Sequence, residues 1–211
     1  VEHIDTWGFE HAVRGMRNPL NSWVKSDSSY GYEAYSGEFV PNLKIGENDL
    51  NLMHRLYVGG QPHRKYLRQI FAVMDITAPL YWWKEFDTYK VGTTANSCST
   101  MHKIAAKEFE LSDFSTEHLS EDVINKPFKE IIDCLNFFRG LYTLNKDKSD
   151  WWQMIQLLPS SYNQRRTVSM TYENVMNMLD YRENHKLDEW REFCRILREL
   201  PYIKEIRGED K

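Results

Sequence analysis

The apolar residues of the C-terminal half fall into helical stripes. Phe128, Ile131, Ile132, Leu135 and Phe138 recur at the three- and four-residue spacing that puts side chains on one helix face. They predict a helix beginning at Pro127, with Gly140 loosening its end. Trp151, Met154, Ile155 and Leu158 form a second stripe, stopped by Pro159. Tyr172, Val175, Met176 and Leu179 form a third. Residues 187–199 make a fourth helix, with Asn184 or His185 as its cap and Asp188 and Glu189 placing negative charge in its first turn.

Ahead of these helices the pattern changes. Residues 26–47, SDSSYGYEAYSGEFVPNLKIGE, are rich in Ser, Gly and Tyr and read as a long loop or a hairpin. Leu50, Met53 and Tyr57 form one apolar side of a short helix over 48–58, stopped by Gly59-Gly60. The β-rich run QIFAVMDIT at 69–77 predicts a strand, and Pro79 then suits the first turn of a helix through LYWWKEFDTYK. Residues 91–102, VGTTANSCSTMH, are small and polar, a loop by composition. The run RTVSMT after Arg165 reads as a strand. The sum is one mixed α/β or α+β domain over residues 1–211, weighted toward helix.

Composition narrows the function classes. With 41% hydrophobic residues, 14% aromatic residues and seven tryptophans, the 211-residue chain has ample material for a packed core. No apolar run approaches the ~18–20 residues of a membrane span, and no stretch reads as a secretory signal. The 27 basic and 31 acidic residues are well mixed and leave a net charge of −4. That balance argues against nucleic-acid binding, which relies on a basic surface. It leaves room for a small anion held by two or three local arginines. Cys98, Cys134 and Cys194 are odd in number and far apart, without metal or redox spacing, so a reduced, cytoplasmic compartment is expected.

Arg165 and Arg191 are the leading candidates for an anion site. A planar guanidinium grips a phosphate through two parallel charge-assisted hydrogen bonds. Each also has a plainer reading, as a surface arginine in a salt bridge. Arg182 ends the third helix, where it complements the helix dipole. His185 and Glu189 are four apart, but two ligands are too few for a metal, and none is expected. The hydroxyls and thiol of Thr93, Thr94, Ser97, Cys98, Ser99 and Thr100 suit either an ordinary loop or a cradle for a phosphate or a uracil edge. Cys98 has no adjacent basic partner to activate it, and His102 alone proves little. The cluster Tyr81, Trp82, Trp83, Phe86 and Tyr89 reads as core or subunit interface before it reads as a flavin-stacking site.

Three blocks carry a family resemblance: ITAPLYWWKEFDTYKVGTTANSCSTMH, LPSSYNQR and VMNMLDYRENHKLDEWR. Together, over roughly residues 50–200, they resemble the flavin-dependent thymidylate synthases. The first block resembles that family's strand, Ala-Pro, helix and signature loop. The second resembles its Leu-Pro block, which ends in a nucleotide-binding arginine. The third resembles its helix-turn-helix. The signature loop departs from the family pattern: Arg-His-Arg becomes Thr88, Tyr89 and Lys90. Its central Ser becomes Thr93, its Glu becomes Asn96, its next Ser becomes Cys98 and its final Arg becomes Thr100.

The resemblance implies a flavin-dependent thymidylate synthase-like α+β fold, helix-rich around a central sheet, with an N-terminal insertion around 26–47. It implies that Arg165 and Arg191 hold nucleotide phosphate, with Cys98, Ser99 and Thr100 at the base. Lys90, Thr93, Arg182 and His185 would face FAD. The partner implied is a pyrimidine nucleoside monophosphate such as dUMP. The activity implied is its reductive C5 methylation, with methylenetetrahydrofolate and NADPH as co-substrates, in a homotetramer. No catalytic residue is singled out, because the cofactor carries the chemistry. The rewritten loop keeps two other readings open: a non-catalytic nucleotide-binding or sequestering protein, and altered chemistry on another pyrimidine or cofactor.

Overall fold

A computed structural model of the protein describes residues 1–35 and 38–209, of which 33–35 and 38–41 are described by their backbone alone. In chain order the elements are β1 Glu2–Trp7, α1 Phe9–Arg17, β2 Ser29–Tyr35, β3 Glu38–Lys44, α2 Glu47–Val58, β4 Phe71–Pro79, α3 Leu80–Phe86 and β5 Thr93–Ser97. They continue with α4 Thr100–Lys103, α5 Glu121–Val123, α6 Lys129–Asn145, α7 Lys148–Leu157, β6 Asn163–Thr171, α8 Tyr172–Arg182, α9 Asp188–Arg198 and α10 Ile203–Arg207. One sheet has the order β1-β4-β6-β5, and β2 and β3 form a separate pair. The chain divides into two compact units, interleaved in sequence. The first takes residues 1–74, 89–94 and 169–211; the second takes 75–88 and 95–168.

The first unit has a helical core. The four residues of the predicted third stripe are buried on α8, and so are Asn174 and Met178, so α8 is enclosed more widely than one stripe requires. It packs on α9, which buries Trp190, Phe193, Cys194 and Leu197. Burial pushes the Cys194 thiol up to about 11, which makes it an inert core residue. Leu187, not Asn184 or His185, occupies the N-cap of α9, and no side chain caps it. α2 forms where Met53 and Tyr57 predict it and ends at Gly59. Residues 26–47 contain a hairpin, paired from Ser29 opposite Lys44 to Tyr35 opposite Glu38; positions 36–37 lie outside the described residues. Pro41 is tolerated there because a two-stranded ribbon consists only of edges.

Two local features hold the start of this unit. Gly8 joins β1 to α1 at φ 95°, and a Cβ added to it would lie 2.0 Å from the Gln69 carbonyl oxygen. Gly8→Ala is therefore expected to cost about 1–3 kcal/mol from the backbone conformation alone, and more from the clash. Thermal unfolding within 1 °C of the parent would contradict this. Further on, Arg17 at the end of α1 and Asp49 on α2 form an ion pair at 2.6 Å, with side chains 5% and 0% exposed.

The second unit is built around aromatic side chains. Trp82, Trp83 and Phe86 of α3 are all buried, with centroids 4.9–5.2 Å apart, so this cluster is core. The helix stops at Phe86 rather than running to Lys90. The Thr88 hydroxyl donates to the Glu85 carbonyl at 2.7 Å and competes with the next helical turn. A further core gathers Ile104, Phe109, Phe114, Phe128, Leu135 and Met154.

The helix predicted from Pro127 begins earlier, at Glu121, and Pro127 lies inside it. Proline has no N–H to donate, and a π turn over Ile124–Phe128 absorbs the missing bond. Within the stripe Leu135 is fully buried, while Ile131 is left 39% exposed. Gly140 does not end α6, which runs on to Asn145 and closes at Lys146 with φ 58°. The predicted loop 91–102 contains β5 and leads into the four-residue α4. No helix among the described residues is long and apolar enough to cross a membrane.

Candidate functional site

The expected site residues fall in both units. In the second unit, alternation along β6 sends Arg165 and Thr167 to one face. Asp75 of β4 takes both: Arg165 Nη2 donates to Oδ2 at 2.8 Å and the Thr167 hydroxyl to Oδ1 at 2.5 Å. The Arg165 side chain is 41% exposed, so its carboxylate partner aims it without enclosing it. Sequence reasoning missed Asp75, which lies within a run read only as strand. It also missed Arg166, whose guanidinium lies 4.1 Å over the Trp83 ring and donates to Gln164 and Asp87.

The loop residues expected at the base are tied to β6. The Cys98 N–H donates to the Arg165 carbonyl at 2.9 Å, and the Cys98 carbonyl accepts from Gln164 Nε2 at 2.8 Å. Cys98 is exposed, while Ser99 and Thr100 are half-buried. The Ser99 hydroxyl accepts the His102 N–H at 3.1 Å and so caps α4.

In the first unit, residues 91–93 are stapled to the start of α8. Asn174 Nδ2 donates to the Val91 carbonyl at 2.8 Å and to the Thr93 hydroxyl at 2.7 Å, and the Thr171 N–H donates to the Gly92 carbonyl at 3.1 Å. Gly92 has φ 76°, and a Cβ there would come within 3.3 Å of Asn174 and Thr171. Lys90 is exposed beside this staple. Asn174 is a third residue that sequence reasoning missed; in the stripe it looks like an interruption.

Arg182 closes α8 under two rings. Its Nε donates to the Tyr89 hydroxyl at 3.1 Å, and the guanidinium centre lies 5.2 Å from the Trp190 centroid and 5.7 Å from that of Tyr89. At those distances a cation is attracted to the ring faces. His185 lies in the turn between α8 and α9, so it does not share a helix face with Glu189. Its Nδ1 accepts the Leu187 N–H at 3.2 Å, which places the ring proton of the neutral form on Nε2. Arg191 laces the same turn: Nη1 donates to the His185 carbonyl at 2.8 Å, and Nη2 pairs with Asp188. The structure thus brings Arg182, His185, Trp190 and Arg191 together around one turn.

With this geometry in place, the fold can be assigned. The chain has the fold of the flavin-dependent thymidylate synthases. A structure of flavin-dependent thymidylate synthase ThyX from Helicobacter pylori, complexed with FAD and dUMP, superposes with a TM-score of 0.68 over 100% of this chain and 99% of that one, at 20% identity. A second structure of the Helicobacter pylori enzyme with FAD and dUMP gives 0.67, over 99% and 98%, at 19% identity. No protein-family model and no curated protein sequence matches the chain.

Proposed function

We propose that this protein binds a pyrimidine nucleoside monophosphate, with Arg165 and Arg191 on the phosphate and Cys98, Ser99 and Thr100 at the base. The observation that carries the reading is the end-to-end likeness to structures that hold dUMP. In a dUMP titration, Arg165→Ala and Arg191→Ala should each lose about 1.5–3 kcal/mol of binding, roughly ten- to a hundredfold. Variant affinities equal to the parent's would remove the assignment.

The residues that the resemblance assigns to FAD do not suit a flavin held in the family's manner. Val91 and Thr93 offer their oxygens to Asn174, and Arg182 is folded onto Tyr89 and Trp190. The family's cations and carboxylate are Thr88, Tyr89, Thr100 and Asn96 here. Binding without flavin is accordingly the first reading, and sequestering or sensing a nucleotide is the role that suits it. A second reading, reductive methylation of dUMP with FAD, methylenetetrahydrofolate and NADPH, is favoured by the FAD in both solved neighbours. In that reading Lys90, Thr93, Arg182 and His185 face the cofactor. Colour separates the two: a yellow preparation supports the enzyme, and a colourless one that binds dUMP but not added FAD supports the binder. Either reading carries a homotetramer in a reduced cytoplasm, and sedimentation as a monomer would count against shared sites.

A further inference from the structure

A cavity of about 700 Å³ opens in the first unit, lined by residues of the β1–α1 junction, the β2–β3 hairpin and the segment leading into α10. Trp7, Phe9, Tyr30 and Tyr202 supply aromatic walls, and Glu10 and Glu205 supply carboxylates. The walls are held in place. Phe9 meets Tyr202 edge-on at 5.4 Å, and Trp7 stacks on Phe71 at 6.0 Å. The Tyr202 hydroxyl donates to the Leu43 carbonyl at 3.2 Å and accepts the Ile45 N–H at 3.3 Å, which ties the hairpin to the α10 segment. On the acidic side the Tyr30 hydroxyl donates to Glu10 at 2.7 Å, and that bond pushes the Tyr30 hydroxyl above its ordinary value. His11 is a further titratable group on the wall. The cations of α10 have acidic partners: Lys204 pairs with Glu199, and Arg207 with Asp180 and Glu209.

We propose that this cavity binds an aliphatic oligoamine. Ring faces attract ammonium groups, and a carboxylate takes an ammonium through a charge-assisted hydrogen bond. Methylene segments between the amines lie against the aromatic walls as lysine stems do on apolar surface. The volume falls within the range of small-molecule sites. A phosphate or carboxylate ligand would meet Glu10 and Glu205 as like charges, and a neutral apolar ligand would desolvate both without a partner.

Spermidine titrated into the full chain by calorimetry tests this. One saturable site is expected, weakened about tenfold or more in Glu10→Gln and in Glu205→Gln, and also in Trp7→Ala. Glu130→Gln, which removes an exposed carboxylate of α6 in the second unit, should bind as the parent does. Should Glu10→Gln fail to fold, Glu205→Gln carries the test. Absence of saturation overturns the proposal. So does equal affinity in all variants, the mark of general attraction to an acidic protein, or binding of an oligolysine peptide without binding of spermidine.

Discussion

Asp49→Ala should lower folding stability by about 3–5 kcal/mol, the usual cost of removing one partner of a buried ion pair. Asp49 is fully buried and Arg17 nearly so. Arg17 spends its guanidinium on three acceptors: Asp49 at 2.6 Å, the Ser22 carbonyl at 3.2 Å and the Lys25 carbonyl at 3.1 Å. The second carboxylate oxygen accepts the hydroxyls of Ser26 and Ser28 at 2.6 and 2.7 Å and the N–H groups of Asp27 and Ser28, each at 3.2 Å. The pair therefore pins residues 22–28 to α1 and α2. The alanine variant leaves a buried guanidinium without its carboxylate and two hydroxyls without their acceptor. Burial alone pushes the Asp49 carboxyl up, but the Ser26, Ser28 and Arg17 bonds together outweigh it and hold the group below its ordinary 3.8. A depressed folded-state pKa gives stability that is present in full above 3.8 and lost as pH falls through the lower folded value. Stability should thus decline below about pH 4, with a shallower decline in Asp49→Asn. Equal acid slopes for parent and Asp49→Asn, measured by urea unfolding, would contradict this account.

Trp83→Ala should cost a similar amount, about 3–5 kcal/mol, in the second unit. The ring is 1% exposed and touches Trp82 and Phe86. Its Nε1 donates to the Gln164 carbonyl at 2.9 Å, and its face carries the Arg166 guanidinium. Truncation opens a cavity, strands a buried carbonyl and releases Arg166 together. Trp83→Phe keeps most of the volume and loses the hydrogen bond, so it should cost about 1–3 kcal/mol. Gln164 directly precedes Arg165, so under the proposed nucleotide-binding function Trp83→Ala should also weaken dUMP binding. A stability loss under 1 kcal/mol on urea unfolding would show that the cluster is not the core of this unit.

What the sequence made legible follows from how each element earns its burial. The stripe on α8 was readable because every member is apolar and regularly spaced. The strand β4 was readable because Phe71–Ile76 is β-rich. β1 was not, because as an edge strand it is exposed at nearly every position and shows no alternation. β5 was hidden for the same reason: Thr93–Ser97 is small, polar and mostly exposed, and only its pairing makes it a strand. Pro127 looked like a helix start because proline favours that position, and the π turn that accommodates it has no signature in spacing. At the candidate site the arginines were legible as residue types, but their partners were not. Asp75 is 90 positions from Arg165, so only the folded chain pairs them.

The chain changes units at residues 74/75, 88/89, 94/95 and 168/169, four crossings in all. During synthesis, residues 1–74 therefore emerge long before Ser169–Lys211, which supplies α8, α9 and α10 to the same core. Domains generally close as units on the ribosome, and this one has to wait. Its early segment lacks that helical cover until residues 169–211 have been made. No single cut releases either unit whole, so limited proteolysis should yield fragments that remain associated.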